Sequence, residues 1–237
     1  MKKSSELRIP FVWADRRPVL LDRLLYIPGF YEKHEGWDIL PWSHEKVFGQ
    51  NNPVVIEYCS GNGEWICERA EQNPHLNWVA VEKRFDRSRK IWARLHRRNL
   101  SNLYIICGEA SVATEYYMPK NSFSEIFINF PDPWPKPRHA KNRLITVEFL
   151  KKMALASLED AKVTFVTDDP PYAGQILQEL SQSPFWSPVL EAPHYANDLP
   201  NYGKSFFADL WKQKGRTIHY IPFKKSLNPL SAQGIFS

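Results

Sequence analysis

From residue 53 onwards the hydrophobic positions alternate between short runs rich in β-branched residues and longer segments with helical spacing. Strands that alternate with helices in this way favour a mostly parallel sheet with helices on both faces, so the pattern predicts an α/β fold. The predicted strands occupy residues 53–59, 77–82, 102–109, 124–130, 161–168 and 216–225. A predicted helix follows the glycine turn after the first strand, and others occupy residues 83–100, 143–158 and 170–183.

The first 50 residues lack this alternation. We predict an N-terminal arm over residues 1–50, partly irregular, with a short helix near residues 18–26, and a single domain over residues 51–237. The first residues are charged and contain no continuous apolar segment, so no signal peptide is expected. No apolar run approaches the roughly 20 residues that a membrane-spanning helix requires.

Composition narrows the class of protein. The 237 residues are 43% hydrophobic and 24% charged, which is typical of a globular chain. The net charge of +5 suits a polyanionic partner without identifying one. The odd number of cysteines, with no CxxC spacing, argues against a disulfide framework and a zinc site. We therefore expect a cytoplasmic protein without a metal, in which the thiols are reduced and mostly buried: Cys59, Cys67 and Cys107.

Ligands of open parallel sheets bind outside the carboxyl ends of the strands. The residues at or just after the ends of five predicted strands are all acidic, and we expect them to converge on a single crevice: Glu57, Glu82, Glu109, Asp132 and Asp168.

The turn after the first strand points to a nucleoside ligand. Gly61 and Gly63 permit positive φ and a close approach of the ligand to the backbone. Glu82 ends the second strand, where a carboxylate can accept hydrogen bonds from both ribose hydroxyls. Its alternative role is to complement the dipole of the helix that follows. A dinucleotide fingerprint requires a third glycine, where this chain has Ile66, so an NAD-dependent dehydrogenase is the weakest interpretation.

S-adenosylmethionine fits this turn better, because it carries no phosphate and needs only the shorter glycine turn. Its ammonium group favours an acid such as Glu57, and Glu109 could accept a hydrogen bond from the adenine amino group. We therefore predict S-adenosylmethionine as the cofactor.

The segment "NFPDPWPKPRHAKNR", residues 129–143, has proline at four alternate positions. Proline fixes its own φ, restricts the residue before it and removes a donor, which predicts a rigid extended loop after the fourth strand. Such a loop presents Asp132 and Trp134 at low entropic cost, although Asp132 could simply form a surface turn. Trp134 either stacks on an extruded base or anchors the loop in the core. Phosphate contacts are expected from the basic residues Lys136, Arg138, Lys141 and Arg143, and from the arginines of helix 83–100, for each of which a solvated surface is the alternative.

This segment closely resembles the signature of the bacterial tRNA (guanine-N(7)-)-methyltransferases, which methylate a guanine in the variable loop of tRNA. The likeness covers residues 53–180 and returns weakly near 202–225. It implies a Rossmann-like class I methyltransferase fold, S-adenosylmethionine as methyl donor and tRNA as substrate. By this resemblance the cofactor-contacting acids are Glu57, Glu82 and Glu109, the active-site aspartate, also near the cofactor, is Asp132, and the substrate-binding positions include Lys136 and Asp168.

Three positions depart from the family pattern. Cys59 replaces the first glycine of the turn, and Glu109 replaces an aspartate. The C-terminal substrate motif "TKFE" appears as "SFFA", Ser205–Ala208, which retains a hydroxyl at Ser205 but loses the lysine and the acid.

The resemblance predicts methyl transfer to N(7) of guanine 46 in tRNA. This nitrogen carries an in-plane lone pair and needs no general base before it attacks the methyl group. Asp132 would stabilise the positive charge that moves onto the purine and could select guanine over adenine. Two alternatives stay open: a methyltransferase acting on another amino nitrogen, and a catalytically silent RNA-binding relative. The oligomeric state is not predicted.

Overall fold

A computed structural model describes residues 2–9, 17–200, 202–203 and 205–226, and the chain divides into two compact units, Met1–Pro119 and Lys120–Ser237. In the first unit the strands are β1 (Val19–Leu21), β2 (Leu24–Tyr26), β3 (Val54–Tyr58), β4 (Asn77–Glu82) and β5 (Leu103–Cys107), and the α-helices are α1 (Glu64–Gln72), α2 (Phe85–Arg98) and α3 (Ala110–Tyr116). In the second unit the strands are β6 (Phe123–Asn129), β7 (Ser157–Thr167), β8 (Trp186–Pro188) and β9 (His219–Lys225), and the α-helices are α4 (Val147–Ala156), α5 (Pro170–Ser181) and α6 (Phe206–Gln213). Short 3-10 helices occupy Ser4–Glu6 and Pro137–Asn142.

The sheet of the first unit has the strand order β1-β2-β5-β4-β3. The last four of these strands are parallel, and β1 is antiparallel to β2. Every residue of β3, β4 and β5 is buried, which explains why their sequences are nearly continuous apolar runs. In α2 the apolar residues Ile91, Trp92 and Leu95 are buried, whereas none of its five arginines is buried: three are half-buried and two are exposed.

The sheet of the second unit has the strand order β6-β7-β9-β8. β6 and β7 are parallel, whereas β9 is antiparallel to both β7 and β8. Side-chain caps start all three α-helices of this unit: the Thr146 hydroxyl accepts from the Phe149 backbone N–H of α4, the Asp169 carboxylate from the Tyr172 N–H of α5, and the Ser205 hydroxyl from the Ala208 N–H of α6. The largest fully buried side chains of this unit include Phe123, Phe149, Phe165, Trp186 and Phe223.

The six predicted strands correspond to β3, β4, β5, β6, β7 and β9, and the mixed α/β class with a mostly parallel sheet is confirmed. The helix predicted near residues 18–26 is wrong. These residues form β1 and β2, joined by a turn in which Arg23 has φ +57°, and β2 extends the sheet beside β5. Short apolar runs fit either element, and here pairing with β5 decides in favour of a strand. The proposed division at residue 50 stays a prediction.

The cysteines behave as expected from their apolar surroundings. None is disulfide-bonded; Cys67 and Cys107 are buried, and Cys59 is half-buried. Burial raises the pKa of Cys67 and of Cys107 to about 12. Across the described residues, no helix has both the length and the apolar character needed to cross a membrane. Those same residues contain no cluster of histidine, cysteine, aspartate and glutamate suited to a metal ion.

Candidate active site

The turn that follows β3 is strongly left-handed. Cys59, Gly61 and Gly63 have φ of +63°, +57° and +77°. An added Cβ at Gly63 would lie 2.7 Å from Cγ1 of Ile91, so this position excludes larger residues both by conformation and by space. The backbone N–H of Ser60 donates to the carbonyl of Val81 at 3.1 Å, which ties the turn to β4. The sequence therefore builds a tight backbone cradle at the carboxyl end of β3.

Glu82, the last residue of β4, closes this turn. Its Oε2 accepts from the Gly61 N–H and its Oε1 from the Arg84 N–H, each at 2.8 Å. The side chain is 5% exposed, and burial raises the pKa of Glu82 although these hydrogen bonds and the nearby Arg87 oppose the shift. Arg84 is the N-cap of α2, so Glu82 serves the helix start and also contacts the glycine turn. This geometry is compatible with both predicted roles of Glu82, as acceptor of the ribose hydroxyls and as an acid that complements the dipole of α2.

The other two acids of the first unit have different surroundings. Glu57 lies within β3, opposite Ala80 of β4, and is 2% exposed. Glu109 is the N-cap residue of α3 and its side chain is half exposed. Lys83 Nζ lies 2.6 Å from Glu109 Oε1, so the charge of Glu109 is compensated by Lys83, the residue that directly follows Glu82. The structure thus brings Gly61 and Glu82 into contact and pairs Glu109 with a cation.

The proline-rich loop is not uniformly extended. Phe130 and Trp134, which precede Pro131 and Pro135, have φ of +48° and +43°. The prediction of an extended backbone is therefore wrong at these two residues, and a 3-10 helix starts at Pro137, where its missing N–H costs nothing. Left-handed backbone at non-glycine residues is strained and persists only where neighbouring contacts impose it.

Those contacts come from the loop itself and from Arg143. Arg143 Nε donates to the Pro133 carbonyl at 2.7 Å, and its guanidinium lies over the buried Tyr172 ring at 5.2 Å. Asp132 Oδ1 accepts from the Trp134 N–H at 3.2 Å, the interaction expected of a turn former. Asp132 is exposed, and among the described residues no further hydrogen bond reaches its carboxylate. The loop therefore presents an exposed carboxylate that accepts a hydrogen bond from the backbone of the same loop.

Trp134 is half-buried and packs edge-on against His139, with 5.7 Å between the ring centroids. This contact lies within the loop, so the indole helps to hold the loop together and keeps part of its surface exposed. Lys136 and Arg138 are exposed on the same segment. The predicted stacking and phosphate contacts stay predictions.

Two predicted substrate-binding residues lie elsewhere in the second unit. Asp168 follows β7, and its Oδ2 lies 2.5 Å from Nη1 of Arg216. Ser205 is 5% exposed and is the N-cap of α6, where its hydroxyl accepts from the Ala208 N–H. The hydroxyl thus has a structural role in the helix start, and a contact of Ser205 with substrate stays a prediction.

Several arginines expected to face RNA are held within the first unit. Arg94 pairs with Glu64 and Arg98 with Glu71, and both pairs join α2 to α1. Arg84 pairs with Asp86 at the start of α2, 2.9 Å apart. The charges of these three arginines are therefore compensated by acids of the first unit.

Comparison with known proteins places the chain in a family. A family model described as "Putative methyltransferase" matches residues 51–220. The tRNA (guanine-N(7)-)-methyltransferase of Chlamydia caviae is 42% identical over 225 residues, which cover 95% of this chain and 99% of the relative. The enzyme of the same description from Leptospira interrogans is 35% identical over 177 residues, which cover 74% of this chain and 79% of the relative. The chain belongs to the tRNA (guanine-N(7)-)-methyltransferase family.

Solved structures confirm the fold expected for this methyltransferase. The crystal structure of the 16S rRNA methyltransferase KamB aligns with a TM-score of 0.57 at 17% identity, covering 80% of this chain and 95% of KamB. An rRNA methylase from Streptococcus thermophilus aligns with a TM-score of 0.51 at 12% identity, covering 74% of this chain and 88% of that one. The fold is the Rossmann-like class I methyltransferase fold.

The residues of the first unit fit the methyl donor of this family, S-adenosylmethionine. Gly61 and Gly63, with φ of +57° and +77°, carry no Cβ, so a ligand can approach the backbone of this turn closely, while the space beside Gly63 is filled by Ile91. Each carboxylate oxygen of Glu82 accepts one backbone N–H and, with about four lone-pair sites in the group, can accept a ribose hydroxyl as well.

Two residues of the methyltransferase that the sequence did not single out now enter the candidate site. Lys83 pairs with Glu109, and Arg216 pairs with Asp168. Lys83 directly follows Glu82 and so was predictable as a neighbour of the strand ends. Arg216 lies 48 residues from Asp168, and no local pattern signals a contact over that distance.

Proposed function

We propose that this protein transfers the methyl group of S-adenosylmethionine to N(7) of guanine 46 in tRNA. The observation that carries the proposal is the proline-rich loop, in which Arg143 binds the Pro133 carbonyl and the Trp134 N–H donates to the carboxylate of the exposed Asp132. Its membership of a family whose named relatives act on guanine N(7) supports the choice of reaction. The choice of guanine 46 goes beyond what the names of these relatives state.

The residues of the first unit would bind the donor. Glu82 accepts from the ribose hydroxyls with the lone pairs that Gly61 and Arg84 leave available. Glu57 receives the ammonium group, and Glu109, whose charge Lys83 compensates, accepts from the adenine amino group. When bound, the donor supplies a methyl group activated by its sulfonium centre.

Asp132 would act on the guanine. N(7) attacks with an in-plane lone pair, so the protein need not remove a proton before the attack. The Asp132 carboxylate accepts from the N(1)–H and amino donors of guanine, which adenine cannot both supply. It also stabilises the positive charge that develops on the purine in the transition state. Alignment of the reacting atoms by a rigid loop supplies the rest of the rate enhancement.

The remaining substrate contacts are assigned to the second unit. Lys136 and Arg138 are exposed cations on the same loop and would contact tRNA phosphates. Trp134 would offer the exposed part of its indole to the extruded base. Asp168 and Ser205 complete the proposed substrate contacts.

The test uses labelled S-adenosylmethionine with an unmodified tRNA transcript, followed by nucleoside analysis. The expected product is 7-methylguanosine, absent when guanine 46 of the transcript is replaced by adenine. Asp132→Asn is expected to lower kcat by about 100-fold or more, since a fixed charge at the transition state is lost. The control Asp160→Asn removes an exposed carboxylate of β7 and should keep wild-type turnover.

Three outcomes would contradict the proposal. A methylated product other than 7-methylguanosine would favour another amino-nitrogen acceptor. Tight tRNA binding without any methyl transfer would favour a silent RNA-binding protein. Wild-type kcat for the Asp132→Asn variant would show that Asp132 does not contribute to catalysis.

A further inference from the structure

The C-terminal end of α6 holds two cations over one indole. Arg216 Cζ lies 4.3 Å and Lys214 Nζ 4.7 Å from the centroid of the Trp211 ring. Both cations are exposed and Trp211 is half-buried. We call these three residues, Trp211, Lys214 and Arg216, the α6 cation cluster.

A tight helix end creates this cluster. The N–H groups of Lys214 and Arg216 both donate to the Trp211 carbonyl, at 3.1 and 2.9 Å. Gly215 between them has φ +74°, and an added Cβ there would have no atom within 4 Å. The glycine is thus required by conformation rather than by space. It reverses the chain immediately after the helix, so that the Arg216 side chain returns over the indole.

Arg216 also reaches the substrate-binding aspartate. Its Nη1 lies 2.5 Å from Asp168 Oδ2, and the Asp168 side chain is only 12% exposed whereas that of Arg216 is 50% exposed. A guanidinium is planar and carries five N–H donors, so one contact with Asp168 leaves donors directed to solvent. Arg216 therefore joins a nearly buried carboxylate to the surface.

The chemistry of the cluster favours a phosphate over a base. Cations over the indole occupy the π-face on which a base would stack. Two positive charges close to one ring repel each other, and a bound anion relieves that repulsion. The nearby "SFFA" segment has lost the lysine and the acid expected of it, and Phe206 at the lost lysine is 57% exposed. Positive charge is supplied instead from the other end of the same helix.

We propose that the α6 cation cluster binds a backbone phosphate of tRNA and that Arg216 is a positioning residue for Asp168. This rests on the proposed function, because it takes tRNA as the substrate. A purely structural alternative is that the cations only stabilise the C-terminal end of α6 through the helix dipole.

The experiment measures tRNA affinity by fluorescence anisotropy at several salt concentrations, together with methyl transfer. Lys214→Gln should weaken tRNA binding about 3- to 10-fold and lower the salt slope by roughly 1, as expected when one phosphate contact is lost. Lys151→Gln, which removes an exposed charge from α4, is the matched control and should keep wild-type affinity. Equal affinities and salt slopes for Lys214→Gln and this control would overturn the phosphate contact.

The positioning role is tested separately. Arg216→Gln should weaken tRNA binding and also lower kcat, whereas Arg216→Lys should recover affinity but not kcat, because an ammonium lacks the planar fork. Full recovery of kcat by Arg216→Lys would overturn positioning. The binding assay requires no turnover, so wild-type protein that binds tRNA through this cluster but forms no 7-methylguanosine would contradict only the proposed function.

Discussion

Replacing Gly63 with alanine is expected to destabilise the first unit strongly. Gly63 has φ +77°, in the left-handed region that alanine adopts at a cost of about 1–2 kcal/mol. The new Cβ would lie 2.7, 3.0 and 3.2 Å from Cγ1, Cγ2 and Cβ of Ile91. Ile91 is fully buried and cannot turn away, and overpacking of this kind costs about 1–3 kcal/mol. The two terms together predict a loss of about 2–5 kcal/mol in the free energy of unfolding.

Two other glycines distinguish the conformational cost from the cost of overpacking. Gly36 has φ +82° with no atom within 4 Å of an added Cβ, so Gly36→Ala should show the conformational term alone. Gly174 lies inside α5, is exposed and has space around it, so Gly174→Ala should stabilise by about 0.5–1 kcal/mol. Urea denaturation followed by circular dichroism gives all three values under the same conditions.

The ranking of the three variants by their free energy of unfolding tests whether the contact with Ile91 matters. If Gly63→Ala destabilises no more than Gly36→Ala, the contact with Ile91 is irrelevant and the turn is looser than the structure indicates. S-adenosylmethionine affinity of the folded Gly63→Ala protein is a second readout. It should fall because relief of the clash with Ile91 displaces the backbone of the turn, whereas Gly174→Ala should bind the donor as the wild type does.

Two further predictions concern titratable groups. Burial raises the pKa of Glu82, so the folded state holds this proton more tightly than the unfolded state. The wild-type free energy of unfolding should therefore fall as the pH rises from 4.5, the ordinary pKa of a glutamate, through the raised pKa of Glu82 in the folded state. The Glu82→Gln variant should lack this part of the pH dependence. Urea unfolding of both proteins across that range measures it, and identical pH dependences would contradict it. Iodoacetamide should alkylate the half-buried Cys59 on the order of 100-fold faster than Cys67 or Cys107, whose thiols are buried with raised pKa values. Peptide mass spectrometry measures the rates, and comparable labelling of all three would refute the prediction.

The parallel part of the fold was predictable because its signals are local. The apolar runs of β3, β4 and β5 are buried along their whole length, so each reads as a strand without reference to the others. Pro170 and Pro171 at the start of α5, after a capping aspartate, mark that helix equally well.

The remaining features depend on contacts between distant residues. β2 is a strand only because β5 offers it a partner, and the sequence around residues 18–26 fits a helix as well. The left-handed Phe130 and Trp134 contradict the usual restriction before proline, and contacts such as the bond from Arg143 to Pro133 hold that loop. Arg216 finds Asp168 through the pairing of β9 with β7, which no periodicity reveals.

The antiparallel direction of β9 determines where the segment before it lies. Because β9 runs against β7, His219 at its beginning pairs with Thr167 at the end of β7. The residues that directly precede β9 therefore lie at the same edge of the sheet as Asp168, which directly follows β7. Substitutions in α6 and its terminal turn can therefore change the side chains presented beside Asp168 while the apolar strands of the sheet keep their sequences.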